Sequence, residues 1–593
     1  MNLLLQKHFE NYGFDEHFFS EYEKNATDEL QNLRTLCCEL YCVREEKKKI
    51  VIYADFDVDG IMSSIVAYAG LSELGFNVSL SVPTPANGYG FRTVDVDDIC
   101  NIYPDVSVIL TGDVGISAKS AIDEAHNRGL KVFVTDHHIG VPDGADIVVN
   151  PNQTGETYSH NGICGSYVLY KTIELFAQLY EDSAKIKDIQ LLKLFAGIAT
   201  ISDSMPLLYE NRQLVRDSVA IMQQLYDKEI VDVLPQNGHS IEYVHAFVGI
   251  KELLKYFANL RKIKTKSDID EQFYGFYLVP FLNSCKRMDG DMRGVYDIFF
   301  SDYVKPFVDF RNMSCVENGI HYVDALSTER KRLTSYYFET LIHELAAGNT
   351  DAAQYMKRGV FITDARSGLL GLLGSKFIAI SGQPTLVINA NADGSYSGSG
   401  RNPSWFDFAA KLQAYDPSII CRGHKEAFGI FFPDKQALDN YVAFVETVYL
   451  PAEVMYVLNS CQKSTSVKIG TTEDADFMPD KILVNDFLRE LSLYHPYGKG
   501  FPEPVFDFYI DTNSDLLDVC YFGGESQHTK LKTPSGIDVL LFNQTLDFQK
   551  TKQENMGKNG IIVCRGTFRH DVYNKIDSNA VNFIANEFFS ASD

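Results

Sequence analysis

Between Lys49 and Asn150, five short apolar runs alternate with helix-like segments. The runs read "KIVIYAD", "NVSLSVP", "VSVILTGD", "KVFVTDHH" and "ADIVVNP", and the segments between them include "SSIVAYAGLSELG" and "SAKSAIDEAHNRG". This alternation predicts a parallel sheet with helices on both faces. The second helical segment ends on Gly129, where a left-handed cap is expected. Ligands of such sheets bind beyond the carboxyl ends of the strands. Those ends carry Asp55 and Asp57 after one run, Asp113 after another, and Asp136, His137 and His138 after a third.

With Asp203 of "AGIATISDSMPL", these residues form a set of hard oxygen donors and a few imidazoles. Converging carboxylates cannot all ionise unless cations neutralise them. An oxygen-rich set with one or two histidines suits Mg²⁺ or Mn²⁺ better than zinc. Two such ions, about 3.5–4 Å apart, activate water and stabilise the leaving oxygen in phosphoester hydrolysis. A lone aspartate reads more simply as a turn or helix cap. Delivery from three strand ends to one edge does not read that way.

The totals set the frame. A chain of 593 residues is too long for one core. Its apolar fraction of 45% and charged fraction of 22% are ordinary for a soluble protein. No apolar run reaches the length of a membrane span, and "MNLLLQKHFENYGFDEHFF" lacks the pattern of a secretory signal. Eleven scattered cysteines lack zinc spacing and read as reduced thiols of a cytoplasmic protein. A net charge of −25 excludes broad coating of nucleic acid but permits a narrow positive groove on an acidic body.

The fold class is α/β. Residues 1–45 read as an N-terminal helical segment, 46–230 as the sheet domain and 231–348 as a mainly helical connector. Residues 349–460 read as a second α/β domain, and 461–593 as a small β-barrel or sandwich rich in aromatic strands.

Further motifs extend the pattern: "DFDVDG", "LTGDVGIS", "TDHH", "GIATISDSMPLLYENRQLVR", "VPFLNSCKRM", "GLLGLLGSKF", "GSGR", "RGHKEAFG" and "HPYGKGFPEPVF". In this order, from Lys49 to Phe542, the series resembles the DHH phosphoesterase superfamily, and within it the RecJ single-strand-specific 5′→3′ exonucleases. The resemblance implies a DHH domain, a DHH-associated α/β domain and a C-terminal barrel of the oligonucleotide-binding (OB) type. It implies removal of mononucleotides from the 5′ end of single-stranded DNA in recombination, repair or replication, without a covalent protein intermediate. Two Mn²⁺ or Mg²⁺ ions are implied. Asp57, Asp113, His137 and Asp203 would hold one, and Asp55, with Asp113 shared and help from Asp136 or His138, would hold the other.

His138, Asp136 and Asp59 are the candidates for work on the reacting phosphate. His138 either orients the phosphate or holds His137 in place, and Asp59 is also read as an acceptor beside a flexible turn at Gly60. Ser399, Gly400 and Arg401, with exposed amides around the glycines, would bind the 5′ phosphate. Asn283 and Arg287 would contact the backbone near the scissile bond, and Arg422 and His424 would approach the phosphates. Beyond the DNA strand, a single-strand-binding protein, a helicase or a replisome protein is the candidate partner, and no membrane is implied.

Several positions depart from the usual RecJ pattern. Tyr53 and Val114 replace the usual histidine and asparagine, Phe281 an arginine, Lys286 a glycine, and Arg422 the first glycine of "GGH". Thr84 stands where an arginine is usual, and Arg92 is the candidate to compensate. Arg261, Lys262, Lys264 and Lys266 either line the strand's path or form a solvated face. Trp405 and Phe406 either stack a base or pack in the core. Two other functions fit less of the sequence: a non-catalytic replisome scaffold, and a hydrolase of short oligonucleotides.

Overall fold

The computed structural model describes residues 2–15, 18, 29–84, 88–141, 144–234, 238–300, 315–347, 351–403, 405–423, 425–452, 467–470, 472, 475, 479–524, 526–542, 544–555, 560–570 and 580–590. The chain divides into two units. One comprises Asn25–Pro206 and Glu210–Tyr456, the other Met1–Lys24, Leu207–Tyr209 and Val457–Asp593.

In the larger unit, β1 (Lys49–Ala54), β2 (Val78–Ser81), β3 (Val106–Gly112), β4 (Lys131–Thr135) and β5 (Ile147–Val149) form the expected parallel sheet, in the order β2-β1-β3-β4-β5. Alternate residues of a strand face opposite sides, so one run of apolar residues feeds two cores. Ile50, Ile52 and Leu110 join helices Val58–Glu73, Gly165–Tyr180 and Lys193–Ser202 on one face. Val51, Tyr53, Ile109 and Val134 meet helices Thr93–Ile102 and Lys119–Asn127 on the other. Helix Val58–Glu73 is buried nearly all round, and its Ser63 and Ser64 hydroxyls meet Ser166 Oγ at 3.2 Å and Tyr296 Oη at 3.0 Å.

Downstream, helices Ile241–Asn259, Arg293–Phe299 and the 33-residue Cys315–Ala347 lead to a second sheet. Its strands β6 (Val360–Ile362), β7 (Thr385–Ala390), β8 (Tyr396–Arg401), β9 (Ile420–Gly423) and β10 (Ala427–Phe432) lie in the order β6-β7-β8-β10-β9, parallel only at β6–β7.

The smaller unit holds a seven-stranded sheet of the expected aromatic-rich strands. They are β11 (Val467–Gly470), β12 (Phe506–Asp511), β13 (Asp518–Phe522), β14 (His528–Lys532), β15 (Asp538–Leu541), β16 (Ile561–His570) and β17 (Val581–Ser590). Phe506, Phe508, Leu531, Val539, Phe568 and Phe583 fill its core. Leu4, Leu5 and Phe9 of helix Leu3–Tyr12 join that same core. Helix Leu33–Glu45 instead packs Leu36, Leu40 and Val43 into the larger unit. The two helices described within residues 1–45 thus cover their apolar stripes against different cores.

Two glycines near the sheet act for different reasons. Gly129 takes φ +78° beyond helix Lys119–Asn127, in open space. Gly60, expected as a flexible turn, lies inside helix Val58–Glu73, where a Cβ would overlap the Asp55 carbonyl oxygen. Close approach, not flexibility, requires it. Gly129→Ala should cost about 1 kcal/mol. Gly60→Ala should cost the upper end of the roughly 1–3 kcal/mol that overpacking brings, or more. Chemical denaturation of both variants checks the order, and equal midpoints would contradict it.

Candidate metal centre

The carboxyl edge of the parallel sheet is set by main-chain hydrogen bonds that run past the strands. Asp55 N donates to Gly112 O at 3.4 Å, Asp113 N to Thr135 O at 3.0 Å, and Asp136 N to Val149 O at 3.2 Å. Asp113 then turns through φ +59°, which aims its side chain back over the edge. Asp57 caps helix Val58–Glu73 and accepts from Gly60 N at 3.2 Å. Asp203 closes helix Lys193–Ser202.

These elements bring the predicted donors together. His137 Nε2 lies 3.2 Å from Asp113 Oδ1, 3.5 Å from Asp203 Oδ2 and 3.8 Å from Asp59 Oδ2. Donor atoms of Asp55, Asp57 and Asp113 also lie within 4.8 Å of one another. Asp55 Oδ1 and Asp113 Oδ1 are buried and receive no hydrogen bond from the described residues. Hard oxygens held this way fit a divalent cation.

Two of the three residues named for work on the phosphate have their oxygens engaged. Asp136 Oδ1 accepts from His137 N (2.7 Å), His138 N (3.1 Å) and His138 Nδ1 (2.8 Å), and its Oδ2 accepts from Ile116 N at 3.0 Å. Asp59 accepts from Gly165 N and Ser166 N, both at 2.8 Å, at the start of helix Gly165–Tyr180. Only His138 keeps an outward nitrogen, with Nε2 at 3.3 Å from Tyr89 Oη.

Sequence reading missed the residues that hold the histidine pair. Asn152 Nδ2 donates to His137 O at 2.6 Å and Asn150 Nδ2 to His138 O at 3.0 Å. The signal was "NPN" after β5. Tyr53 is explained by the same site: its hydroxyl donates to Gly90 O at 3.3 Å and its ring packs on Phe91, which fixes the loop that carries Tyr89.

Beside the carboxylates lies a cationic group. Burial, with Arg330 and Arg401 nearby, lowers Arg287 to about 10. Arg330, on helix Cys315–Ala347, is buried and its Nε has no hydrogen-bond partner among the described residues. Sequence reading missed it as well. Helix Ser367–Ser381 makes room for this group with glycines on one face. A Cβ at Gly368 would overlap the Arg287 backbone, one at Gly371 would overlap Arg401 Nη2, and one at Gly374 would come within 3.3 Å of Arg401 Cγ.

Ser399 and Arg401 alternate with Gly400 along β8 and so share a face. Gly400 is corrected: its backbone runs in the ladder between β7 and β10, and a Cβ there would overlap Phe428, so it offers no amide to a phosphate. Asn283 is buried at the start of the Ser284–Arg287 turn. Arg422 is exposed on edge strand β9. Arg92 caps helix Thr93–Ile102 and pairs with Asp95. His424 lies outside the described residues. Phe281 is buried against Tyr256 and Phe257, and Trp405 packs on Phe406 and Tyr449, the core reading. Arg261, Lys262, Lys264 and Lys266 are exposed, with Lys266 paired to Asp227.

The profile of the DHH family, N-terminal domain, matches residues 49–198, and that of the RecJ OB domain matches residues 474–582. The single-stranded-DNA-specific exonuclease RecJ of Bacillus subtilis is 24% identical, over 84% of this chain and 57% of that protein. The Haemophilus influenzae RecJ is 24% identical, over 84% of this chain and 81% of that protein. The crystal structure of RecJ in complex with Mn²⁺ from Thermus thermophilus superposes with a TM-score of 0.70 at 18% identity, covering 100% of this chain and 76% of the other. The chain is similar to RecJ proteins, with a DHH-family N-terminal domain at 49–198 and a RecJ OB domain at 474–582. It spans little more than half the length of the Bacillus subtilis relative.

Lys286 is the departure of this RecJ-like chain that touches the centre. Its Nζ lies 3.4 Å from Asp57 Oδ2 and 4.0 Å from Asp55 Oδ2. The electrostatics follow from burial first. Burial, then Asp57, pushes Asp55 up to about 7. Burial and the surrounding carboxylates hold Asp113 well above its ordinary range. Burial lowers His137. Burial also opposes the charge on His138, but the Asp136 carboxylate overrides it and raises His138 to about 9.

These raised values all have one sign. The protonated forms are favoured in the fold, so their contribution is present at low pH and is lost as pH rises through about 7 and then about 9. The metal-free protein should therefore melt at falling temperatures from pH 6 to pH 9.5, and Mn²⁺ should restore the midpoint. Thermal melts with and without chelator test this, and a flat metal-free profile would count against it.

Proposed function

We propose that this chain is a metal-dependent phosphodiester hydrolase that degrades single-stranded DNA from the 5′ end to mononucleotides. One observation carries the reading: Asp55, Asp57, Asp113, His137 and Asp203 converge on one sheet edge, with Asp55 Oδ1 and Asp113 Oδ1 buried and accepting no hydrogen bond from the described residues. The similarity to the single-stranded-DNA-specific exonucleases RecJ and to the Mn²⁺ complex of the Thermus thermophilus protein supports it.

Two Mn²⁺ or Mg²⁺ ions fit the donor set. Asp57, Asp113, His137 and Asp203 would hold one, and Asp55 with Asp113 the other. Bound there, the ions neutralise the carboxylates and supply water activation and charge stabilisation for phosphoester hydrolysis. Asp136 holds the His138 Nδ1 proton, which leaves a protonated Nε2 to donate to a phosphate oxygen. Asp59 ties helix Gly165–Tyr180 to the edge and keeps His137 in line.

Ser399 and Arg401, with Arg287 and Arg330, bind the terminal 5′ phosphate. The repulsion of Arg287 by Arg330 and Arg401, and the buried Arg330 Nε with no partner among the described residues, make the group receptive to an anion. Arg287 directly follows Lys286, which touches the carboxylates, so the end clamp and the hydrolytic edge share one helical turn. That short separation favours release of one nucleotide at a time. Asn283, Arg422 and His424 extend the backbone contacts, and Arg92 contributes from the loop beyond Gly90.

The division into a DHH domain (46–230), connector (231–348), DHH-associated domain (349–460) and OB-type barrel (461–593) belongs to the same proposal. No helix among the described residues is long and apolar enough to cross a membrane. We place the enzyme in the cytoplasm, with its strand delivered by a single-strand-binding protein, a helicase or a replisome protein.

The test uses end-labelled single strands, with and without 5′ phosphate, in Mn²⁺ and Mg²⁺. Mononucleotides should appear from the 5′ end, and Asp113→Ala should abolish them. Arg401→Ala and Arg330→Ala should each lower kcat/KM on 5′-phosphorylated strands by roughly 10- to 100-fold, the worth of a charge-assisted hydrogen bond. The same variants should change strands lacking the phosphate much less. Intact binding without cleavage in either metal would turn the assignment to a scaffold, and cleavage confined to very short strands would turn it to an oligonucleotide hydrolase.

A further inference from the structure

We propose that Lys286 is a tethered cation that competes with a divalent ion for the Asp55–Asp57 pair, so that the two ion positions fill unequally. This rests on the metal reading above. The Lys286 ammonium lies 3.4 Å from Asp57 Oδ2 and 4.0 Å from Asp55 Oδ2, and 4.7 Å above the Phe56 ring between them. Its backbone is fixed by a short helical turn, with Arg287 N bonded to Asn283 O at 3.1 Å and Met288 N to Ser284 O at 3.1 Å. The stem therefore starts from a set point and reaches the carboxylates from there.

The two halves of the centre differ in kind. Asp113 is met by the His137 imidazole at 3.2 Å, whose Nε2 offers a lone pair to an ion, while His138 turns its Nδ1 to Asp136. Asp55 and Asp57 are met by an ammonium, which has no lone pair and repels an ion. The ion of Asp57, Asp113, His137 and Asp203 keeps three of its four donors clear of the lysine, so it can enter with the ammonium in place. The ion of Asp55 and Asp113 keeps only Asp113 clear, so it must first drive the ammonium out.

The ammonium can leave. The Lys286 side chain is 31% exposed on a flexible stem. A bound DNA strand gives it another anion, the phosphate next to the one held by Arg287. The second ion then loads with the strand, and Lys286 couples metal occupancy to substrate.

Calorimetric titration of Mn²⁺ into the full chain, with electron paramagnetic resonance to count ions, tests the idea without reference to turnover. The wild type should show one tight and one weak class. Lys286→Met should tighten the weak class by about tenfold or more, the scale expected when a close opposing charge is removed, and leave the tight class in place. Lys286→Arg should retain the wild-type isotherm, and matching melting curves establish that the variants fold. Two bound ions with identical wild-type and Lys286→Met isotherms overturn the role of the lysine. So does a Lys286→Met isotherm weakened in both classes, which would make the lysine a positioning residue for the carboxylates. A wild type that binds no Mn²⁺, or an Asp113→Ala variant that binds as well as wild type, overturns the metal reading itself.

Discussion

Asp55, Asp113 and Asp136 are placed by amides that continue the parallel ladder one residue past β1, β3 and β4. Because the hydrogen bonds belong to the main chain, the carboxylates cannot move apart without breaking the sheet. Their repulsion is therefore built into the edge. Two solutions to it coexist. Asp136 and Asp59 are neutralised locally, by backbone amides and a histidine. Asp55 Oδ1 and Asp113 Oδ1 are left buried without a hydrogen bond from the described residues, a state that protonation or a cation relieves. The same element thus supplies both the rigid frame and the unmet charge that makes a metal centre out of it.

How much of this was legible in the sequence depended on the range of the interaction. The five strands and the acids after them follow local rules of alternation and strand-end placement, and "TDHH" at the end of β4 could be read directly. The roles within the cluster could not. Asp59 and Asp57 are two residues apart, yet one caps a helix more than a hundred residues away while the other caps its own. Nothing in "DFDVDG" distinguishes them. Gly60 misled for the same reason, since the oxygen it makes room for belongs to Asp55 and the clash is set by the bend of the chain. Gly400 misled because strand pairing on both sides used up the amides that its sequence advertised. Residues 1–45 read as one helical segment, but the two helices described there join two different cores.

The arginine group shows a signal that was present and went unread. "GLLGLLG" forms a helix, and its glycines at every third position lie on one face. That face is where Arg287 and Arg401 approach. A helix that gives up side chains along a stripe must have something large against it, and spacing of three is the evidence for which side. Arg330 carried no comparable mark, because a single arginine in a 33-residue helix with many charges is unremarkable until packing buries it.

The charge distribution then resolves the conflict between an acidic chain and a polyanionic substrate. A net charge of −25 repels a strand at long range, and salt screens that repulsion within about 8–10 Å. Inside this distance the buried guanidinium of Arg330 and the half-buried ones of Arg287 and Arg401 act with less competition from water than exposed groups meet. Such a surface does not hold duplex or internal DNA by general attraction. It rewards a group that reaches the buried cations with full charge, and a terminal phosphate, with one more ionisable oxygen than a diester, does that best. The acidic exterior and the buried cationic group work in the same direction, toward recognition of an end.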